Sequence, residues 1–202
     1  MKSARGVFSL VVVSAGLALA GIPASATVLY DNLSASISGE DFVSSSGPVA
    51  DSFSTGGSAV SLTDVKVMVS GDPTSTGDIS VSLLADGSTS PGGLIATLGS
   101  IVAGSLGTDV VYDFSLVSPM ALASDTRYWI ELTTSNDSVT WPWSLDVSGT
   151  GVGSEFFANS SGVSPNEFGP YLMQVNAVPE PAALSLIAIS ILALGILRRK
   201  NA

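Results

Sequence analysis

The stretch "TRYWIELTT" (residues 126–134) sets Tyr128, Ile130 and Leu132 in one phase and Arg127, Trp129 and Glu131 in the other. A period of two sends successive side chains to opposite faces of an extended chain. The stretch therefore reads as a half-buried antiparallel strand with Tyr128, Ile130 and Leu132 inward. The same alternation recurs on its N-terminal side. "DISVSLLAD" (residues 78–86) puts Ile79, Val81 and Leu83 on one face, and "DVVYDFSLV" (residues 109–117) does so with Val110, Tyr112, Phe114 and Leu116. "AVSLTDVKVMVSG" (residues 59–71) aligns Val60, Leu62, Val65, Val67 and Val69 if the register changes once near Thr63-Asp64.

Turn-forming clusters separate these runs: "SGDPTSTGD" (70–78), "ADGSTSPGG" (85–93), "VAGSLGTD" (102–109) and "TSNDS" (134–138). Gly, Pro, Asp and Asn each supply backbone geometry that strands do not use. No stretch between the two apolar ends has a helical period, and no internal repeat recurs at a fixed spacing. Short strands with Gly/Pro-rich turns predict an all-β fold, an antiparallel β-sandwich of jelly-roll-like form over residues 27–177.

That body carries sixteen carboxylates against two bases, Lys66 and Arg127, a formal charge of −14. Such a surface repels phosphate backbones and anionic lipid, which argues against nucleic-acid binding and against a body lying on a membrane. The acid keeps an exported protein soluble. The chain has no cysteine and no histidine. Disulfides, zinc–thiolate sites, thiol nucleophiles and Ser–His pairs are thereby excluded. A body of this length buries a core without staples.

Both ends read as addresses. "MKSARGVFSLVVVSAGLALAGIPASA" (residues 1–26) has a basic start, an apolar run and the small-x-small pattern Ala24-Ser25-Ala26. It predicts a secretory signal peptide cut by signal peptidase after Ala26. At the other end, residues 182–197 carry no charge and are followed by Arg198, Arg199 and Lys200. As a helix this run would be about 24 Å long, a short transmembrane span. The basic cluster stays cytoplasmic and acts as a stop-transfer signal, so the body is expected outside the cytoplasm.

Val178-Pro179-Glu180-Pro181, then an apolar span, then a basic end, all at the C-terminus, resemble the PEP-CTERM sorting signal of exopolysaccharide-producing Gram-negative bacteria. The resemblance covers about the last 25 residues (178–202). It implies an exosortase substrate. In that family exosortase, a membrane transpeptidase-like protease, processes the protein near the tripeptide. Residues 50–144 resemble, more diffusely, the choice-of-anchor family of bacterial exported domains, type R. The matching residues are Ser52-Phe53 with Thr55, then Val81, Leu83 and Asp86 ahead of Pro91-Gly92, then Leu122, Thr126, Tyr128 and Trp129, and a later Trp. This second resemblance implies a fold and an exported setting, and no reaction.

Three groups of residues invite a ligand. Trp141-Pro-Trp143 places two indoles on one side of an extended segment. They either form a sugar-stacking platform or close the end of the core. Asp72, Asp78, Asp86 and the pair Glu40-Asp41 lie near turns and could offer oxygen ligands to calcium, without the dense spacing of a calcium loop. Carboxylate pairs could serve glycoside hydrolysis, but among sixteen acids no spacing selects one. Asn32, Asn136 and Asn159 each begin an N-x-Ser acceptor pattern, which is mostly coincidence in a bacterial export setting.

The expectation is therefore a non-enzymatic surface or extracellular-matrix protein without a cofactor. It is held transiently in the inner membrane by its C-terminal helix, sorted by an exosortase-type system, and associated with exopolysaccharide. A carbohydrate- or calcium-binding module is the alternative, and a histidine-free carboxylate hydrolase is the third reading.

Overall fold

The computed structural model describes residues 25–44, 47–72, 74, 76–134 and 139–180. The predicted apolar segments at both ends lie outside these residues. Twelve strands are described: β1 (Thr27–Asp31), β2 (Gly39–Val43), β3 (Val49–Ser54), β4 (Val60–Gly71), β5 (Asp78–Asp86), β6 (Pro91–Val102), β7 (Val110–Leu122), β8 (Arg127–Thr134), β9 (Val139–Trp143), β10 (Phe156–Asn159), β11 (Gly162–Pro165) and β12 (Met173–Pro179). The only helical turns among the described residues are two short 3-10 segments, Ala103–Ser105 and Asn166–Phe168. No helix among the described residues is long and apolar enough to cross a membrane.

The strands form two antiparallel six-stranded sheets. One runs β1-β12-β4-β9-β2, with β7 paired along the other edge of β4; the second runs β11-β10-β3-β8-β5-β6. The all-β expectation and its packed sheets are thus met. Each predicted alternation falls on a strand, and the inward phases meet in one core. Val65, Val67 and Val69 from the first sheet join Ile79, Val81, Leu83, Ile130 and Leu132 from the second, all fully buried.

The phase change near Thr63 is a β-bulge. The β4–β7 register slips between Leu62 and Asp64, and the β4–β12 register slips opposite it, between Asn176 and Ala177. Against β12 Thr63 is the extra residue, whereas against β7 the unpaired residues are 116–119 of that strand; the Thr63 hydroxyl donates to the Asn176 carbonyl at 3.0 Å. Asn176 Nδ2 in turn donates to Asp64 Oδ1 at 2.6 Å. The bulge lets Leu62 and Val65 both face the core despite their odd spacing.

On β7 only part of the predicted face is buried. Phe114 is buried and Tyr112 and Leu116 pack at the margin, but Val110 is 38% exposed. The reason is position: β7 is an edge strand, so one flank of its inward face opens to solvent.

The second sheet also carries a small apolar cluster on its outer face. Trp129, assigned by the alternation to the polar side of β8, is fully buried against Ala50, Leu84 and Ala158, with Phe156 packed alongside. Its indole Nε1 donates to Asp86 Oδ1 at 2.9 Å. Asp86 also accepts from the Thr89 amide and so ties down the β5–β6 turn. There Ser88 and Thr89 both adopt positive φ.

Replacing Trp129 with Ala should destabilise the protein by about 3–5 kcal/mol, the cost of emptying a large buried aromatic site. Denaturant unfolding of wild type and variant measures this. A loss under about 1 kcal/mol would show that the indole is not buried.

Candidate functional site

Several motif residues behind the second resemblance, Ser52, Phe53, Thr55, Thr126 and Tyr128, tie β3 to the β7–β8 turn and its surroundings. Thr55, just past β3, reaches the β7–β8 turn: its hydroxyl donates to the Ala123 carbonyl at 2.7 Å and accepts from the Thr126 amide at 3.0 Å. Tyr128 Oη accepts from the Ala123 amide at 2.9 Å, and the Tyr128 ring stacks on Phe53. Ser52 Oγ donates to Glu155 Oε2 at 2.7 Å, and Glu155 also takes Arg127 Nε at 2.9 Å. The Arg127 guanidinium lies over the Phe156 ring. Each of these side chains closes a turn or joins strands, so the pattern reads as folding chemistry.

Trp141 and Trp143 lie on β9 in the inward phase. Trp141 is fully buried, stacks on Tyr171 with centroids 4.7 Å apart, and donates from Nε1 to the Leu172 carbonyl at 3.1 Å. It closes the core and takes no part in a surface platform. Trp143 alone reaches the surface. It fits because two glycines face it: a Cβ on Gly39 would overlap its six-membered ring, and one on Gly169 would come within 3.0 Å of Cε3. Gly169 also holds a positive φ of 138°, which other residues resist.

Beside Trp143 opens a recess of about 130 Å³ lined by Asp41, Phe157, Asn159, Phe168 and Gly169. Asp41 occupies the inward phase of β2, between Gly39 and Val43. Its Oδ2 accepts from Tyr171 Oη at 2.6 Å and from Asn159 Nδ2 at 2.9 Å. Burial first, then the hydrogen bond to Asp41, pushes the Tyr171 phenol well above its ordinary pKa, so it remains a donor. Phe168 stands at the rim, 66% exposed.

Behind the recess lies a second carboxyl with no route to solvent. Asp51 on β3 faces inward, fully buried. The Tyr171 amide donates to its Oδ2 at 2.7 Å and Asn166 Nδ2 to its Oδ1 at 3.1 Å. Tyr30 Oη lies 3.4 Å from Oδ2. Burial is the largest cause that raises the Asp51 pKa, against the lowering pull of these donors. A raised carboxyl pKa often marks a catalytic acid. Here the group is sealed inside the sandwich and holds structure.

The turn acids proposed for calcium are dispersed. Asp72 accepts from Thr74, Asp86 from Thr89 and Trp129, and Glu40 from Thr140. Among the described residues no three His, Cys, Asp or Glu side chains gather as metal ligands. A shallower hollow beyond β2 and β9 contains Glu40, Phe42, Asp72 and Asp109.

Of the address residues, Ala26 is described and exposed, and Val178 and Pro179 belong to β12. Glu180 is exposed, and its amide donates to the Ala59 carbonyl at 3.3 Å. Ala24, Pro181, the predicted span 182–197, Arg198, Arg199 and Lys200 lie outside the described residues.

No family model and no curated protein matches this chain. Among solved structures it is similar to a clostridial cysteine protease, a Cwp84 variant after propeptide cleavage, with a TM-score of 0.52 and 10% identity, covering 77% of this chain and 40% of that one. A second structure comprises the cysteine protease and lectin-like domains of Cwp84, a surface layer associated protein of Clostridium difficile. It gives a TM-score of 0.46 at 12% identity, over 66% of this chain and 32% of that one. This chain therefore spans well under half of either structure. At such identity the likeness is one of fold. A chain without cysteine or histidine has neither the nucleophile nor the base of a cysteine protease.

Asp51 makes a pH prediction with a definite sign. Its pKa is raised in the folded state above the unfolded value of about 3.9. Its contribution to stability is therefore full below pH of about 3.9 and is lost as pH rises through the folded value. Wild type should lose stability relative to Asp51→Asn as pH rises from about 4 towards 8. Urea unfolding of both proteins across that range measures the difference. A difference independent of pH would mean that burial does not raise this carboxyl.

Proposed function

We propose that this is a non-enzymatic exported protein of the cell surface or extracellular matrix, sorted through its C-terminal signal by an exosortase-type system. The observation that carries this reading is where the sandwich starts and stops. Strand β1 begins at Thr27, one residue past the expected signal-peptidase cut, and β12 ends at Pro179, inside the tripeptide. The two strands pair, Thr27 opposite Ala177, so both boundaries lie together on one side of one sheet. The address segments adjoin the folded body without a linker. The tail holds the body outside the inner membrane until processing passes it to the surface, where exopolysaccharide is its expected setting. The jelly-roll form is supported by the chain's repeated crossing between sheets, from β2 to β3, β3 to β4, β4 to β5, β6 to β7, β7 to β8, β8 to β9, β9 to β10 and β11 to β12.

Anchoring and sorting are separable. Insertion depends on residues 182–197 and orientation on Arg198, Arg199 and Lys200. Neither needs Glu180. Replacing Pro179, Glu180 and Pro181 with alanine should leave membrane insertion intact and abolish processing, with full-length protein accumulating in the inner membrane. Fractionation and intact mass from the native host read the result. Equal release and equal mass for both proteins would make the tripeptide a spacer and remove the sorting role.

A further inference from the structure

We propose that the recess bounded by Asp41, Trp143, Asn159 and Phe168 binds a single non-acidic sugar residue of a polysaccharide. Sugar recognition combines an apolar ring, on which the C–H face of a pyranose packs, with fixed acceptors and donors for hydroxyls. The recess has both. Phe168 presents a ring at the rim, and Trp143 forms a wall held in place by Gly39 and Gly169.

The polar side is built in advance. Tyr171 and Asn159 both donate to Asp41 Oδ2, which fixes the carboxylate plane and leaves Oδ1 without a partner among the described residues. Oδ1 can then accept a hydroxyl. The Asn159 side chain is fixed from its other end by the Ser161 amide, which donates to Asn159 Oδ1 at 2.9 Å. One Nδ2 hydrogen of Asn159 goes to Asp41, and the same amide interacts with the Tyr171 hydroxyl, so both neighbours hold the carboxylate in place. Asp41 is thus a fixed acceptor for a sugar hydroxyl, set beside an apolar ring.

Charge selects the sugar class. The ligand must approach a carboxylate set in a body of net charge −14. Uronic acids and sulfated sugars are repelled, and neutral hexoses and N-acetylhexosamines are not. At about 130 Å³ the recess has room for part of one sugar unit, the rest lying on the rim at Phe168. Affinity for a monosaccharide is then weak, with a Kd on the order of 1 mM, and useful binding comes from many copies along a polymer. This site stands on the folded body alone, so its failure would leave the sorting proposal untouched.

The test uses the full chain in a zwitterionic detergent, which carries no sugar headgroup. Saturation-transfer NMR is run with methyl glucoside, methyl galactoside and N-acetylglucosamine, and with glucuronate for comparison. At least one neutral sugar should bind, and glucuronate should bind about tenfold more weakly or not at all. Phe168→Ala should weaken the neutral sugar by about tenfold or more, and Phe168→Trp should preserve it. Because Phe168 is largely exposed, neither change should alter the unfolding midpoint. Absence of binding by all three neutral sugars, equal binding of glucuronate, or unchanged binding by Phe168→Ala would each overturn the proposal.

Discussion

The fold turns on a carboxyl group placed where an apolar side chain would ordinarily go. Asp51 lies between Val49 and Phe53 in the inward phase of β3, and its partners come from outside its own sheet. The amide of Tyr171 precedes β12, Tyr30 sits on β1, and Asn166 belongs to the 3-10 turn that follows β11. Two apolar faces can slide over each other at little cost, because burial has no direction. A hydrogen bond has a length and an angle, and a buried acceptor left without donors costs about 1–3 kcal/mol. The sheets can therefore pack only in the alignment that satisfies Asp51. Asn32 extends the same network: it accepts from the Met173 amide and donates to the Tyr171 carbonyl. The segment entering β12 is fixed at Tyr171 and Met173 by side chains from the β1 and β3 regions, and at Leu172 by Trp141 from β9.

This fixation also sets up the surface recess. Tyr171 is the common member. Its amide serves Asp51 inside, its ring stacks on Trp141 and meets Phe157 edge-on, and its hydroxyl serves Asp41 outside. The position of the Asp41 carboxylate is thus inherited from the core through one rigid side chain. On the outer face of the second sheet Trp129, Asp86 and Thr89 do similar work for the β5–β6 turn. Polar groups at this end and on this face are spent on geometry, which is why the motif residues read as parts of the fold.

Strands β4, β5 and β8 are legible in the sequence because they lie inside their sheets, with one face wholly in the core. Even the bulge at Thr63 shows as a break in the valine rhythm. Strand β6 is not legible, because it is an edge strand whose apolar residues Leu94, Ile95 and Val102 are exposed, so burial imposes no alternation. The alternation puts Trp129 in the wrong environment, since period two tells faces apart but not whether the second face is covered. Asp51 does leave a signal: an acid between Val49 and Phe53 breaks the apolar phase where a core position is due. Asp41 stands out only as a candidate cation ligand and Asn159 only as the start of an N-x-Ser pattern, and nothing in the sequence joins them to Phe168. They come from β2, β10 and a 3-10 turn, and only the packing of the two sheets brings them to one place.

The C-terminal boundary has a consequence for any processing at the tripeptide. Strand β12 pairs with β1 on one side and β4 on the other, and its ladder with β4 ends with Pro179 opposite Val60. Beyond it the described chain keeps one backbone bond, from the Glu180 amide to Ala59. A cut C-terminal to Glu180 removes no strand pair and exposes no core residue, since Val175 and Ala177, the last buried side chains of β12, lie before it. Loss of the tail would therefore cost the sandwich almost nothing, and the recess at Asp41, tied to the core through Tyr171, would keep its shape. A cut before Val178 would instead strip two ladder positions from a strand held on both sides. The fold thus tolerates loss of the residues that follow it best from the tripeptide onward.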